Sequence, residues 1–310
     1  MTQRDTFIDD LFKIAKNDKD VIMISVDMGA SALDQWRDEL PNQFFATGIS
    51  EQHTINFAAG LSAQGKKVYV YFMASWVARC FEQIRYSCAM GNNPITILGC
   101  GVGLGYMPAG PAHAPTEDMR SLIDIEIYTP HNINLTKTLV DKSYEERTLK
   151  YIRLERNYDT RLDNDTNSIG GISVVKPGLW SNPNTKDQPK IALVSSGYIL
   201  GRCLDVWEKL QSTNYEVSLY NLYRAKPNPI NQNTFDDYTH IVSVEEQTLS
   251  GGVGSVILEG VSDVGQFKKV LRLGLPERYI FENGNRDYHL NNNGLSIDDI
   301  ISKVKDFVYA

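Results

Sequence analysis

The chain has 310 residues, 42% apolar and 22% charged, with a formal net charge of −7. That length suits two ordinary domains, and that composition excludes a disordered chain, a collagen-like repeat or a coiled coil. The acidic balance gives no electrostatic reason to bind nucleic acid. No stretch approaches the roughly 20 apolar residues of a membrane helix. The opening MTQRDTFIDDLF places acidic residues where a secretory leader would have its apolar core, so the reading is a cytoplasmic protein with no membrane attachment.

In chain order, Asp5–Asn17 carries Phe7, Ile8, Leu11, Phe12, Ile14 and Ala15 at helical spacing. The run 21–26, VIMISV, suits a strand buried on both faces. A strand over 43–47 leads through Gly48 into a helix over 52–64, and a strand is expected at 67–72. The segment 75–90 reads as one helix, 94–100 as a strand, and 101–115 as a glycine-rich loop. A helix, the strand IEIYTP, a helix from about Asn132 and the strand LKYIRLE follow. Residues 157–188 are rich in Asn, Asp, Pro and Ser and read as a linker. Strands are then expected at IALVSSG, EVSLYNL, HIVSVEE and KVLRLGL, with helices at 198–211, after Gly254, and at 296–308.

This alternation predicts an α/β protein of two domains, 1–188 and 189–310, each a mostly parallel sheet flanked by helices. Such sheets bind ligands beyond the carboxyl ends of their strands. The loops to watch therefore follow Val26, Thr47, Phe72, Cys100 and Glu155.

GCGVGLG, 99–105, follows a strand but puts Leu104, Tyr106 or Pro108 where a dinucleotide fingerprint needs its third glycine. Its glycines still leave room for a ligand near the backbone. SGGVGS, 250–255, reads as a tight turn into a helix. Glu51 has two readings: a first-turn carboxylate on a helix dipole with Ser50 as N-cap, or a buried ligand-binding carboxyl. His113, a loop histidine between prolines, has no core-packing explanation. Cys80, Cys88, Cys100 and Cys203 lack CxxC spacing and read as small apolar residues. No metal-ligating cluster and no GxSxG elbow occurs.

The string GISEQHTINFAAGLSAQGKKVYVYFMASWVARCFEQIR, 48–85, resembles the pyrimidine-binding domain of the transketolase family of thiamine-diphosphate enzymes. GPAHAPTEDM resembles the family's G-x-T-H-Q segment, YIRLER its strand with a substrate-binding Arg, and IVSVEEQTLSGGVGS and LRLGLPERYIFENG its C-terminal domain. The family's GDG…N motif, which holds the metal and diphosphate, is not in the sequence. A complete transketolase is about twice as long. The resemblance therefore implies the second subunit of a split enzyme. A partner polypeptide would carry the diphosphate-binding domain and most of the Mg2+ site, in a two-plus-two heterotetramer.

The resemblance also assigns roles. Glu51 matches the carboxyl that drives the cofactor's aminopyrimidine into its imino form. Trp76 matches the aromatic stacked on the pyrimidine, with Asp27, Met28 and Phe72 lining the cofactor pocket. His113, Arg156 and Arg79 match substrate contacts. Departures are Gly101 and Ala109, where transketolases have a phosphate-contacting His and an acceptor-contacting Asp, and Ala114 in place of the glutamine after the loop His. The implied reaction is transfer of a two-carbon ketol unit from a ketose or ketose phosphate to a sugar-like acceptor, with a modified or nucleotide-linked sugar within its scope. Three rivals are a ketoacid dehydrogenase beta subunit, a deoxyxylulose-phosphate-synthase-like acyloin synthase and a non-catalytic regulatory subunit. The EQH triplet and the GPAHAP loop favour the transketolase side over the first, and retention of Glu51, His113 and Arg156 speaks against the last.

Overall fold

The computed structural model describes residues 2–27, 29–110, 119–163, 170–178, 188–211 and 215–309. They divide into two units, Met1–Tyr158 and Asp159–Ala310.

In the first unit α1 (Gln3–Ala15) starts two residues before the apolar face because the Thr2 hydroxyl accepts from Asp5 N. Phe7, Ile8, Leu11, Phe12 and Ala15 are buried along it. It is followed by β1 (Val21–Ser25), α2 (Asp34–Glu39), β2 (Phe44–Ala46), α3 (Glu51–Ala63) and β3 (Lys67–Met73). Then come α4 (Phe81–Gln83), β4 (Thr96–Cys100), β5 (Ile125–Tyr128), α5 (Ile133–Glu145) and β6 (Leu149–Leu154). The strands are parallel and lie in the order β5-β6-β4-β3-β1-β2. Succession runs outward from β1 on one side through β2 and on the other through β3. The switch of direction thus falls between β1 and β3, where open α/β sheets hold ligands.

Two expectations fail here. Residues 75–90 are not one helix: 3₁₀ turns over Ala74–Trp76 and Ala78–Cys80 precede α4, which runs on as a π-helix, Ile84–Met90. The apolar spacing is periodic enough to suggest a helix, but hydrogen-bond pitch is set by packing on the strand end, and π turns gather at functional sites. The helix expected before β5 is not seen over 119–124, which form turns.

The second unit holds β7 (Ile172–Lys176), β8 (Lys190–Ser195), α6 (Leu200–Leu210), β9 (Glu216–Leu222), the short β10 (Arg224–Lys226) and β11 (His240–Thr248). It continues with α7 (Val253–Asp263), β12 (Lys269–Leu275), α8 (Arg286–Asn292) and α9 (Ile297–Tyr309). Five strands lie in the order β12-β11-β8-β9-β7, parallel except β7, which runs antiparallel to β9. So the polar stretch over 157–188 supplies an edge strand to this unit. β7 is short and only partly covered, with Val174 exposed, so it carries no apolar run to stand out from its surroundings. The core includes Ala192, Val194, Leu222, Phe235, Ile241 and Ile257. Among the described residues no helix is long and apolar enough to cross a membrane.

Candidate active site

Three loops of the first unit converge where the β1–β3 switch predicts. Asp27, exposed, follows β1, the Thr47–Ser50 turn follows β2, and Ala74–Arg79 follows β3. Gly48, at φ +71°, bends the second of these so that α3 begins at once with Glu51.

Glu51 is 5% exposed. Ser50 occupies the N-cap position, but its hydroxyl donates to Thr47 O at 2.8 Å and caps no helix N–H. Nor does the Glu51 carboxylate accept from the helix backbone. Its one partner among the described residues is Arg79, whose Nη1 donates to Oε2 at 3.1 Å. Among those residues Oε1 is left without a hydrogen bond. This removes the capping explanation for a buried carboxylate, which without a partner would be costly.

Arg79 also lies over Trp76, 4.9 Å from the ring centroid. The 3₁₀ pitch explains this, because residues three apart eclipse in such turns. Trp76 is half-buried, and Ser75 Oγ beside it is buried with no hydrogen-bond partner among the described residues. Burial pushes the Cys80 thiol up to about 12, with the Glu51 charge adding to the shift. Cys88 is likewise pushed up to about 12, mainly by burial. All four cysteines are buried, as small apolar residues would be. Phe72 is 1% exposed and packs as core.

The ends of β4 and β6 form a second cluster. Glu155, buried at 3%, accepts from Val102 N at 3.1 Å, and Gly101 N donates to Leu154 O at 2.9 Å. These bonds tie the glycine loop to the strand end that carries Arg156. Arg156 is exposed, and its guanidinium carbon lies 5.8 Å from the centroid of Tyr106. Tyr106 OH is 3.6 Å from Cys100 Sγ, and burial raises its pKa. Tyr106 and Ser75 are the residues that sequence reasoning passed over. The sign for Tyr106 was an aromatic inside a glycine run. His113, Met28 and Ala114 lie outside the described residues, as does most of the GPAHAPTEDM segment.

The site thus offers a carboxylate with one open oxygen, an indole face and an orphaned hydroxyl on one side, and a guanidinium with no carboxylate partner among the described residues on the other. Residues 1–158 match the family model described as transketolase, pyrimidine binding domain, and residues 183–300 that described as transketolase, C-terminal domain. The chain belongs to the transketolase family. It is 26% identical over 302 residues to a 1-deoxy-D-xylulose-5-phosphate synthase of Clostridium perfringens, covering 95% of this chain and 47% of that protein. It is also 26% identical to an apulose-4-phosphate transketolase subunit of Phocaeicola vulgatus, covering 98% of this chain and 97% of that one. The chain thus spans about half the length of the synthase relatives and nearly all of the apulose-4-phosphate transketolase subunits. A solved split-gene transketolase, an inactive beta4 tetramer, superposes with a TM-score of 0.85 over 100% of this chain and 99% of that one, at 22% identity. That likeness shows the fold.

Proposed function

We propose that this chain supplies the pyrimidine-binding and C-terminal domains of a two-polypeptide, thiamine-diphosphate-dependent enzyme that transfers a two-carbon ketol unit from a ketose or ketose phosphate to a sugar-like acceptor. The observation that carries this reading is Glu51, a buried carboxylate at a strand-end switch that caps no helix and, among the described residues, has one oxygen without a hydrogen bond. The donor set fits the pyrimidine half of the cofactor. A flat heterocycle with ring nitrogens asks for a stacking face, a carboxyl and a small hydrogen-bonding group, and Trp76, Glu51 and Ser75 offer these. When bound, the cofactor supplies a carbanion nucleophile for attack on the donor carbonyl.

Glu51 holds or gives the proton at a ring nitrogen, for which a low-dielectric setting is the expected device. Arg79 pairs Oε2, fixes the carboxyl's orientation and leaves Oε1 for the ring; it also stands near enough to meet a substrate. The Trp76 indole face stacks on the ring, a contact worth about 0.5–1.5 kcal/mol beyond area burial. The family resemblance assigns Asp27, Met28 and Phe72 to the lining of the cofactor. Arg156 takes an anionic group of the substrate through its planar fork, and His113 contacts donor hydroxyls.

In this reading the diphosphate and Mg2+ fall to a partner polypeptide. The apulose-4-phosphate transketolase subunits, matched over nearly their whole length, support this division. The assembly is a two-plus-two heterotetramer in the cytoplasm. A second reading, acyloin synthesis of the deoxyxylulose-phosphate-synthase kind, is favoured by the relatives of that name and needs the same Glu51 chemistry. The test is turnover of xylulose 5-phosphate with aldose acceptors, against pyruvate as alternative donor, by the chain with thiamine diphosphate and Mg2+, alone and after co-purification with its partner. Ketol transfer only by the pair is expected. Full activity of the chain alone overturns the division, and activity with pyruvate alone selects the second reading.

A further inference from the structure

Tyr106 occupies space that only a glycine at 101 leaves open. A Cβ built on Gly101 would fall 1.8 Å from Tyr106 Cδ2 and 2.0 Å from Cε2, far inside van der Waals contact. Gly101 also sits at φ +83°, a conformation L side chains rarely adopt. The ring is therefore held edge-on against the Gly101 backbone. Its hydroxyl meets Cys100 Sγ, and one face lies under the Arg156 guanidinium. Arg156 is exposed and has no ion pair or hydrogen bond to any described residue, which leaves its guanidinium donors uncommitted among them. The main chain just before it is held as well, with Glu155 N donating to Gln3 Oε1 at 3.0 Å and Glu155 O accepting from Arg4 N at 3.3 Å. Arg79, three residues from its own aromatic, differs in being neutralised by Glu51.

We infer that Gly101 and Tyr106 are a coupled pair that sets specificity. By vacating position 101, the chain seats an aromatic platform that holds Arg156 poised for a phosphate-bearing sugar. Tyr106 is a positioning residue acting through Arg156, and the inference rests on the reading of Arg156 as the anion-binding group. The side chain missing at 101 is thereby replaced in space by a ring from five residues later. The anion is gripped from the β6 side of the cleft rather than from the β4 loop. Exposed cation–π support of this kind is worth about a two- to fivefold change in affinity.

The test is isothermal titration of the full chain with xylulose 5-phosphate and with unphosphorylated xylulose, read as the ratio of the two affinities. The unaltered chain prefers the phosphorylated sugar, and Arg156→Gln abolishes the preference. Tyr106→Leu lowers it about two- to fivefold, whereas Tyr106→Phe, which keeps the face and loses only the hydroxyl, leaves it intact. Gly101→Ala, which displaces the ring, lowers it as Tyr106→Leu does, and adds nothing in the Tyr106→Leu background. Circular dichroism of each variant matches the unaltered chain. If Arg156→Gln keeps the preference, or there is none to lose, the anion-binding reading of Arg156 falls. If Arg156→Gln abolishes it while Tyr106→Leu leaves it unchanged, the platform alone is overturned. An additive loss in the double variant overturns the coupling of Gly101 to Tyr106.

Discussion

The two units present the same physical situation twice and resolve it oppositely. Each is a mostly parallel sheet with a switch in strand order, between β1 and β3 in one and between β8 and β11 in the other. Each places buried carboxylates at its switch. In the second unit Glu245, 2% exposed, accepts from Val253 N at 2.7 Å and Gly254 N at 3.1 Å and so caps α7. Its oxygen fills the place a Gly252 Cβ would take, at 1.7 Å. Glu246 takes two bonds from Arg286 Nε at 2.9 Å and one more from Nη2, and the guanidinium stacks 3.8 Å from the Tyr198 centroid. Both carboxylates are spent on the fold. In the first unit Glu51 opens a helix of its own, but its carboxylate caps nothing and, among the described residues, one of its oxygens has no hydrogen bond. Architecture is shared; what separates the two strand ends is whether their charges are already satisfied among the described residues.

Substitutions at these carboxylates test the contrast from opposite sides. Glu51→Gln in the assembled enzyme should cut turnover by at least about a hundredfold, since the amide keeps the shape but cannot trade the proton. The thermal unfolding midpoint should hold, because no helix cap is lost. C2 hydrogen–deuterium exchange of bound cofactor reads the first point and calorimetry the second; a folded variant exchanging at the normal rate would reduce Glu51 to a bystander. Glu246→Ala should do the reverse. It strands a largely buried guanidinium, and breaking such a pair costs about 3–5 kcal/mol, with kcat of surviving folded enzyme unchanged. Urea denaturation compares the two. Glu245→Ala should follow at about 1–3 kcal/mol, because two helix N–H groups lose a buried charged acceptor. A Glu245→Ala chain as stable as its parent would mean that water serves α7 equally well.

The contrast was only half legible in the sequence. Strand runs such as VIMISV and EVSLYNL are apolar on both faces and announce themselves, and every strand with such a run lies within a residue or two of its expected place. β7 escaped because an edge strand needs no apolar run, and α2 and α8 because each is under two turns and too short to show a period. The broken helix at 74–90 escaped because 3₁₀ and π turns depend on what the segment packs against. Glu51 could be singled out but not decided: SEQ before an apolar run reads equally as a cap, and only the Ser50–Thr47 bond excludes that. Tyr106 was invisible, since its partner Gly101 signals the absence of a side chain and not what fills the gap. Arg156 and Glu155 came with the strand that carries them, yet the bond from Val102 N to Glu155 joins residues 53 apart in sequence.

The smallest effect expected from the comparison is electrostatic and lies in the second unit. His240 opens β11, with Nδ1 against Thr239 Oγ1 at 2.8 Å and its ring edge-on to Phe307. Nε2 is buried without a hydrogen-bond partner among the described residues. Burial lowers its pKa below the ordinary 6.5, and the charge of Lys269, its register neighbour on β12, lowers it further. The folded chain therefore refuses a proton that the unfolded chain accepts. Stability from this group is fully present above pH 6.5 and is lost as pH falls from there through the folded value. Urea midpoints taken between pH 7.5 and 5 should decline on the acid side. His240→Gln, which carries no titrating proton, should flatten part of that decline while lying below the parent at pH 7.5. Glu51 supplies the control: Glu51→Gln should leave this acid limb unchanged, because the two groups belong to different units. An acid limb identical in His240→Gln and its parent would show that the ring is neutralised at no cost and that the second unit's pH response arises elsewhere.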